Sequence, residues 1–243
     1  MNRTSEYDLT IIIPIFNEED NLRMLEERMV TYLPNCPLKA CVLLVDDGST
    51  DSSLDGIKGI CARHKDFLYI SFFRNAGLSA ALKAGFDNTE SRLVGYIDAD
   101  LQTVPEDFSL LLGDIDDYSM VVGIRTGRKD SWSKNVQSKI ANGFRRLFTH
   151  DGALDTGCPL KVLHTDVARR IPMFKGMHRF FPALVLLQDG GTYKQVPVRH
   201  FPRVAGTSKY HLSNRLLGPF ADCFAYLWMK PRYCNFKVVD NNL

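Results

Sequence analysis

The sequence predicts an α/β fold with a mostly parallel central sheet and helices on both faces. Three observations carry this. Short β-branched apolar runs alternate with stretches of helical periodicity over the first 125 residues, and parallel strands need such crossover helices. The runs are continuously apolar, as in strands buried on both faces. Polar motifs follow the strand ends, which is where an open α/β sheet forms its ligand crevice. The chain has 243 residues, 45% of them hydrophobic and 24% charged, values that argue against disorder.

The elements follow in order. Leu9–Ile15 is a β-branched run before a turn, hence a buried strand. Residues 18–33 carry apolar side chains at 22, 25, 29, 30 and 33, which is helical spacing. Residues 40–45 form a second strand that ends at Asp46-Asp47-Gly48-Ser49. Residues 50–64 read as a helix with Leu54, Ile57, Ile60 and Cys61 on its apolar face. A strand over 67–73 precedes a helix over 78–88. A strand over 93–97 ends at Asp98-Ala99-Asp100. A helix over 105–115 and a strand over 119–124 complete this part.

The formal charge of +2 hides a split, with residues 1–120 at −11 and residues 121–243 at +13. Such polarity suits a metal with an anionic ligand, or nucleic acid. Asp98 and Asp100 flank a small residue at a strand end, so their side chains point the same way. Two carboxylates placed so repel unless a cation joins them. Mg²⁺ or Mn²⁺ takes oxygen ligands and keeps positions for phosphates, and Gln102 adds an amide oxygen. No GxGxxG follows the first strand and no Walker A motif is present, so dinucleotide and P-loop sites are disfavoured. Six cysteines without CxxC or zinc-type spacing read as free thiols in a reducing compartment. The polar opening residues predict no secretory leader. The longest later apolar stretch, 216–229, is interrupted by Pro219 and Asp222 and is shorter than the roughly 20 residues of a membrane span.

Taken together, the motifs resemble the family 2 glycosyltransferases of the GT-A fold, especially those acting on dolichyl and bacterial polyprenyl phosphates. The matching segments are Ile13-Pro14-Ile15-Phe16-Asn17-Glu18, Val45-Asp46-Asp47-Gly48-Ser49, Arg74-Asn75-Ala76-Gly77, Asp98-Ala99-Asp100-Leu101-Gln102 and Gly123-Ile124-Arg125. Further along come Asp155-Thr156-Gly157-Cys158, Gly176-Met177-His178-Arg179-Phe180, His200-Phe201-Pro202-Arg203 and Gly206-Thr207-Ser208-Lys209-Tyr210.

The resemblance implies a nucleotide-diphospho-sugar transferase fold, taken over residues 1–212; residues 213–243 themselves read as an appended amphipathic segment without a transmembrane helix, although relatives often carry such helices there. It implies a metal-dependent, inverting hexosyl transfer from a GDP- or UDP-sugar to a polyprenyl phosphate, in the making of cell-envelope glycans. Pro14, Phe16, Glu18, Asp46, Asp47, Asp98, Ala99, Lys139, Ser208 and Lys209 would meet the donor. Asp98, Asp100 and Gln102 would hold Mg²⁺ or Mn²⁺. Asp100, Asp155, Arg125 and Arg203 would carry the catalytic roles. The sequence departs from the family pattern at Phe16, where Tyr is common, and at Lys139, where Arg is frequent. A lysine is a point charge rather than a bidentate fork.

The basic half then answers the phosphates, with Arg125, Arg128, Lys129, Lys139, Arg199, Arg203 and Lys209 as counter-charges. Residues 133–148 and 212–228 read as basic or aromatic-rich amphipathic helices, suited to a membrane interface or to packing on the sheet. The expectation is a cytoplasmic protein, peripheral on a membrane or held there by a partner, with no nucleic-acid role. Three rivals share parts of this pattern. A family 2 transferase acting on a saccharide hydroxyl, as in cell-surface polysaccharide synthesis, needs a catalytic base. A sugar-1-phosphate nucleotidyltransferase needs a Gly-rich basic loop after the first strand, where Phe16-Asn17-Glu18-Glu19 stands instead. A nucleic-acid binder leaves the acidic strand ends unused.

Overall fold

The computed structural model describes residues 2–126, 143, 145–202, 212–236 and 239, the side chains of 212–217 and 219 excepted. Among them, seven strands form one sheet: β1 (Leu9–Ile15), β2 (Ala40–Asp46), β3 (Phe67–Ser71), β4 (Leu93–Tyr96), β5 (Met120–Thr126), β6 (Lys161–His164) and β7 (Tyr193–Arg199). Their spatial order is β3-β2-β1-β4-β6-β5-β7. The expected parallel core is present: β1 pairs with β2 and β4, β2 with β3, and β5 with β7, all in parallel. Strand β6 runs antiparallel between β4 and β5.

The helices are α1 (Glu19–Tyr32), α2 (Ser53–Arg63), α3 (Leu78–Asp87), α4 (Phe108–Leu112), α5 (Thr165–Arg170), α6 (Phe181–Val185) and α7 (Leu212–Met229). Alternation along β1 sorts them into two layers. Ile11 and Ile13 face a core shared with Leu25 and Met29 of α1, Ile57 and Ile60 of α2, and Phe108 and Leu111 of α4. Ile12 faces a second core with Leu82 and Phe86 of α3, Phe181 and Leu184 of α6, and Tyr226 of α7. Both faces of the sheet are therefore dry, which is why its strands read as unbroken apolar runs.

One expectation needs correction, and one open alternative is narrowed. Residues 105–115 do not form one helix. A 3-10 turn over Pro105–Asp107 leads into the short α4, which ends at Gly113, and a second 3-10 turn covers Ile115–Asp117. In α7, the stripe at 220, 224, 227 and 228, read as suited to a membrane interface or to packing on the sheet, is not packed on the sheet. Phe220, Phe224, Leu227 and Trp228 are exposed, while Cys223, Tyr226 and Met229 enter the second core. The helix thus has two apolar stripes, and the second core takes the one built of Cys223, Tyr226 and Met229. Of the helix expected over 133–148, residues 143 and 145–148 are helical and the rest lie outside the described residues. No helix among the described residues is long and apolar enough to cross a membrane.

A buried ion pair fastens the chain between this segment and β6. The Arg145 guanidinium donates to Asp151, to Thr149 Oγ1 at 3.2 Å and to the Ala153 carbonyl at 3.1 Å. The Asp151 side chain is fully buried, and its second oxygen accepts from the Ala153 N–H at 3.0 Å. Leu154 N–H then donates to Gln195 Oε1 of β7 at 2.7 Å. These bonds fix the stretch that leads to Asp155.

Candidate functional site

Six parallel strands deliver their carboxyl ends to one edge of the sheet, and the loops there are laced together. After β1, Asn17 N–H donates to Ser49 Oγ at 3.0 Å, and Asn17 Oδ1 accepts from Thr50 N–H at 2.7 Å. Glu18 N–H donates to Ser53 Oγ at 2.9 Å. Pro14, Phe16 and Glu18 are half-buried along this seam. Gly48 has φ +68°, and a Cβ there would lie 2.4 Å from the Arg74 carbonyl carbon. Only glycine lets the loops after β2 and β3 touch here.

Asp46 and Asp47 serve different ends. Asp46 is buried, with its oxygens accepting from Ser49 N–H at 3.0 Å and Ser71 Oγ at 2.7 Å. It braces the turn instead of facing outward to a ligand. Asp47 is held by Ala76 N–H at 2.7 Å, by Gly77 N–H at 2.9 Å, and by Asn75 Nδ2 at 2.9 Å. Burial raises its pKa, although the Ala76 and Gly77 N–H groups pull the other way.

Asp98 and Asp100 follow β4. Tyr96 Oη donates to Asp98 Oδ1 at 2.6 Å, and Gln102 N–H donates to Asp100 Oδ1 at 3.1 Å. Leu101 between Asp100 and Gln102 has φ +49°, a left-handed conformation that costs a non-glycine residue about 1–2 kcal/mol. Burial, then the Asp100 charge, pushes the Asp98 carboxyl up to about 6, against the pull of Tyr96, Lys161 and Arg125. Two crowded carboxylates make an oxygen donor pair that a hard divalent cation would relieve, while the Gln102 side-chain amide donates its Nε2 to the Phe201 carbonyl at 3.4 Å. Gln102 is also stitched to β7: Phe201 N–H donates to the Gln102 carbonyl at 2.8 Å. Ala99 is buried in the first core, so it has only backbone to offer a ligand.

Arg125, at the end of β5, is joined to Asp155. Its Nε and terminal nitrogen donate to the two Asp155 oxygens, both at 2.8 Å. Arg199 does not face the crevice as a counter-charge. Its N–H and Nε donate to the two oxygens of Asp107, at 2.7 and 2.8 Å. Lys139, Arg203, Ser208 and Lys209 lie outside the described residues, as do Arg128 and Lys129.

The sequence reading assigned no role to three contributors, of which the Asn75–Gly77 segment stood within a motif it singled out. Asn75, Ala76 and Gly77 clamp Asp47, and Tyr96 holds Asp98. The third is Lys161, 2% exposed on β6. Its ammonium donates to the Cys158 carbonyl and lies 5.5 Å from the Tyr96 ring and 5.9 Å from the Phe181 ring. Burial lowers its pKa despite the pull of Cys158, Asp155 and Asp98. A lone Lys in the run Cys158–Leu163 was the available signal, since a buried lysine needs partners.

Comparison with known proteins places this arrangement. The sequence profile of glycosyl transferase family 2 matches residues 10–174. A dodecaprenyl-phosphate galacturonate synthase of Rhizobium johnstonii is 33% identical over 212 residues, covering 85% of this chain and 63% of that protein. An undecaprenyl-phosphate 4-deoxy-4-formamido-L-arabinose transferase of Edwardsiella ictaluri is 32% identical over 206 residues, covering 84% and 63%. The chain thus spans under two thirds of the length of these relatives. Among solved structures, glucosyl-3-phosphoglycerate synthase of Mycobacterium tuberculosis, with Mn²⁺, UDP and glucosyl-3-phosphoglycerate, superposes with a TM-score of 0.69. It is 14% identical, with 94% of this chain and 82% of that one covered. A mannosyltransferase of Pyrobaculum calidifontis with GDP-Man and Mn²⁺ gives 0.65 at 16% identity, covering 93% and 67%. These likenesses establish the GT-A fold.

Proposed function

The chain belongs to glycosyl transferase family 2, and from that premise we propose that it moves a hexose from a nucleotide-sugar donor to a polyprenyl phosphate. The observation that carries this is the convergence of Asp47, Asp98, Asp100 and Gln102 with the Arg125–Asp155 pair at one sheet edge. Two relatives above 30% identity, each named for a polyprenyl phosphate, support the choice of acceptor.

In this reading the loop after β1 and the clamped Asp47 receive the nucleoside. Asp98, Asp100 and Gln102 hold Mg²⁺ or Mn²⁺, which supplies counter-charge to the donor diphosphate. Arg125, oriented by Asp155, presents its guanidinium to phosphate, with Lys139, Arg203, Ser208 and Lys209 as further phosphate contacts. The acceptor phosphate oxygen attacks the anomeric carbon opposite the nucleotide, so one displacement inverts the configuration. A phosphate is already anionic at neutral pH, so the site has to position and neutralise rather than remove a proton. A saccharide hydroxyl would need a base, and Asp155 is ion-paired with Arg125 instead.

The test is a thermal-shift and turnover screen of nucleotide sugars against undecaprenyl phosphate and a soluble glycan, with and without Mn²⁺. Metal-dependent stabilisation by one nucleotide sugar and transfer to the lipid phosphate are expected. Transfer to the glycan alone would overturn the acceptor assignment.

The same reading brings the protein to a membrane surface. Phe220, Phe224, Leu227 and Trp228 form an exposed apolar stripe on α7, three of its four side chains aromatic. Phe148 packs on Phe224 at 5.5 Å, and the Arg232 guanidinium lies 4.8 Å from the Trp228 ring. Aromatic side chains flanked by cations suit the boundary between acyl chains and anionic headgroups. Anionic vesicles should co-sediment the protein, and Phe224→Ala with Trp228→Ala should weaken this at least severalfold, since burying such rings drives interfacial binding. Equal recovery of wild type and double variant in the supernatant would refute the surface.

A further inference from the structure

The segment Gly176–Phe180 is the one motif that the transfer chemistry leaves without a task. It stands on the first turn of α3. Gly176 has φ +94° and its N–H donates to Ser79 Oγ at 3.2 Å. The same oxygen lies 2.8 Å from His178 Nδ1. The Ser79 hydroxyl has one hydrogen and two lone pairs, so it holds Gly176 N–H and Nδ1 together in either neutral tautomer of the ring. Burial, with the Arg179 and Lys161 charges adding to it, pushes the His178 pKa down to about 3. The ring is therefore uncharged at any working pH.

Ser79 is the second residue of α3 and is buried. Immediately before it, the Ala76 and Gly77 N–H groups grip Asp47. Helix α3 has no side-chain cap of its own. The direction of those two N–H groups depends on where the first turn is held. Gly176 also touches α7: a Cβ there would lie 2.2 Å from Asp222 Oδ2. The turn is thus wedged between α3 and α7.

We infer that His178 is a positioning residue for the nucleoside end of the donor site. Through Ser79 it holds the first turn of α3, and so aims the two N–H groups that orient Asp47. This rests on the reading that Asp47 meets the donor nucleoside. A structural histidine would support the fold alike with or without ligand, whereas this one sets donor affinity.

The test is calorimetric titration of the full chain with UDP and GDP in the presence of Mn²⁺, with donor KM and kcat measured alongside. Wild type should bind one of them. His178→Ala and Ser79→Ala should each weaken binding by about tenfold, the worth of one hydrogen bond. Donor KM should rise with kcat unchanged. The double variant should be no weaker than either single, because both cut the same link. His178→Asn, whose amide returns a hydrogen-bonding group at the Nδ1 position, should recover most of the affinity. If wild type binds neither nucleotide, the nucleoside reading fails and the inference with it. If wild type binds and His178→Ala binds equally well, or if the two losses add, His178 does not position the donor site. A fall in melting temperature with unchanged donor affinity would likewise mark a purely structural role.

Discussion

Asp100→Ala is expected to cut sugar transfer by roughly 10³-fold, the scale of several kcal/mol of lost charge stabilisation. The fold should survive it. Asp100 follows β4 outside the sheet, and the hydrogen bond it accepts from Gln102 N–H is local. Removing it also lifts the repulsion that helps push Asp98 up to about 6. The melting temperature without metal should therefore hold or rise. Mn²⁺ titration should show the metal-dependent part of nucleotide binding gone. Asp100→Asn separates charge from shape and should fail in the same way. Turnover within threefold of wild type would remove Asp100 from the mechanism, since loss of a metal ligand costs far more than that.

Asp151→Ala should have the largest effect on stability, about 3–5 kcal/mol, because it leaves the Arg145 guanidinium buried without a counter-charge. The midpoint of thermal unfolding should fall on the order of 10 °C for a chain of this size. The loss should be partly reversed in Arg145→Met with Asp151→Leu, where neither charge has to be desolvated. The damage reaches the site as well, because this pair anchors the stretch that carries Asp155 to Arg125. Urea unfolding of the wild type and these two variants decides it. A single-variant loss below 1 kcal/mol would mean that water reaches Arg145 and that the pair is not a dry anchor.

The parallel half of the fold was legible because its strands are buried on both faces, and so stand out as apolar runs between helical periods. Strands β6 and β7 were not legible. Lys161 interrupts the first, and Tyr193–Arg199 is polar along one edge of the sheet. The helix over 105–115 failed because apolar spacing does not report where a chain tightens into 3-10 turns. At the site, the carboxylates were visible as residue types, but neighbours could not be told apart. Asp46 and Asp47 look equivalent in sequence. Consecutive side chains at a strand end point to opposite sides, and so Asp46 meets Ser71 while Asp47 meets the start of α3. Arg125 and Asp155 were each read as acting alone, because an ion pair between residues 30 apart leaves no local signature.

The placement of β6 bears on how the chain is made. Strands β1 to β4 are complete once residue 96 has been synthesised, and they are mutual neighbours. Strand β5 comes next in the chain but has no seat beside β4, because β6 must enter between them. Until Lys161–His164 emerges, β4 presents an unpaired edge and Met120–Thr126 remains an apolar segment without a partner. Open strand edges are what sticks to other chains. Nascent chains stalled between residues 126 and 160 should therefore be the most aggregation-prone species in the life of this protein, and the most dependent on chaperones.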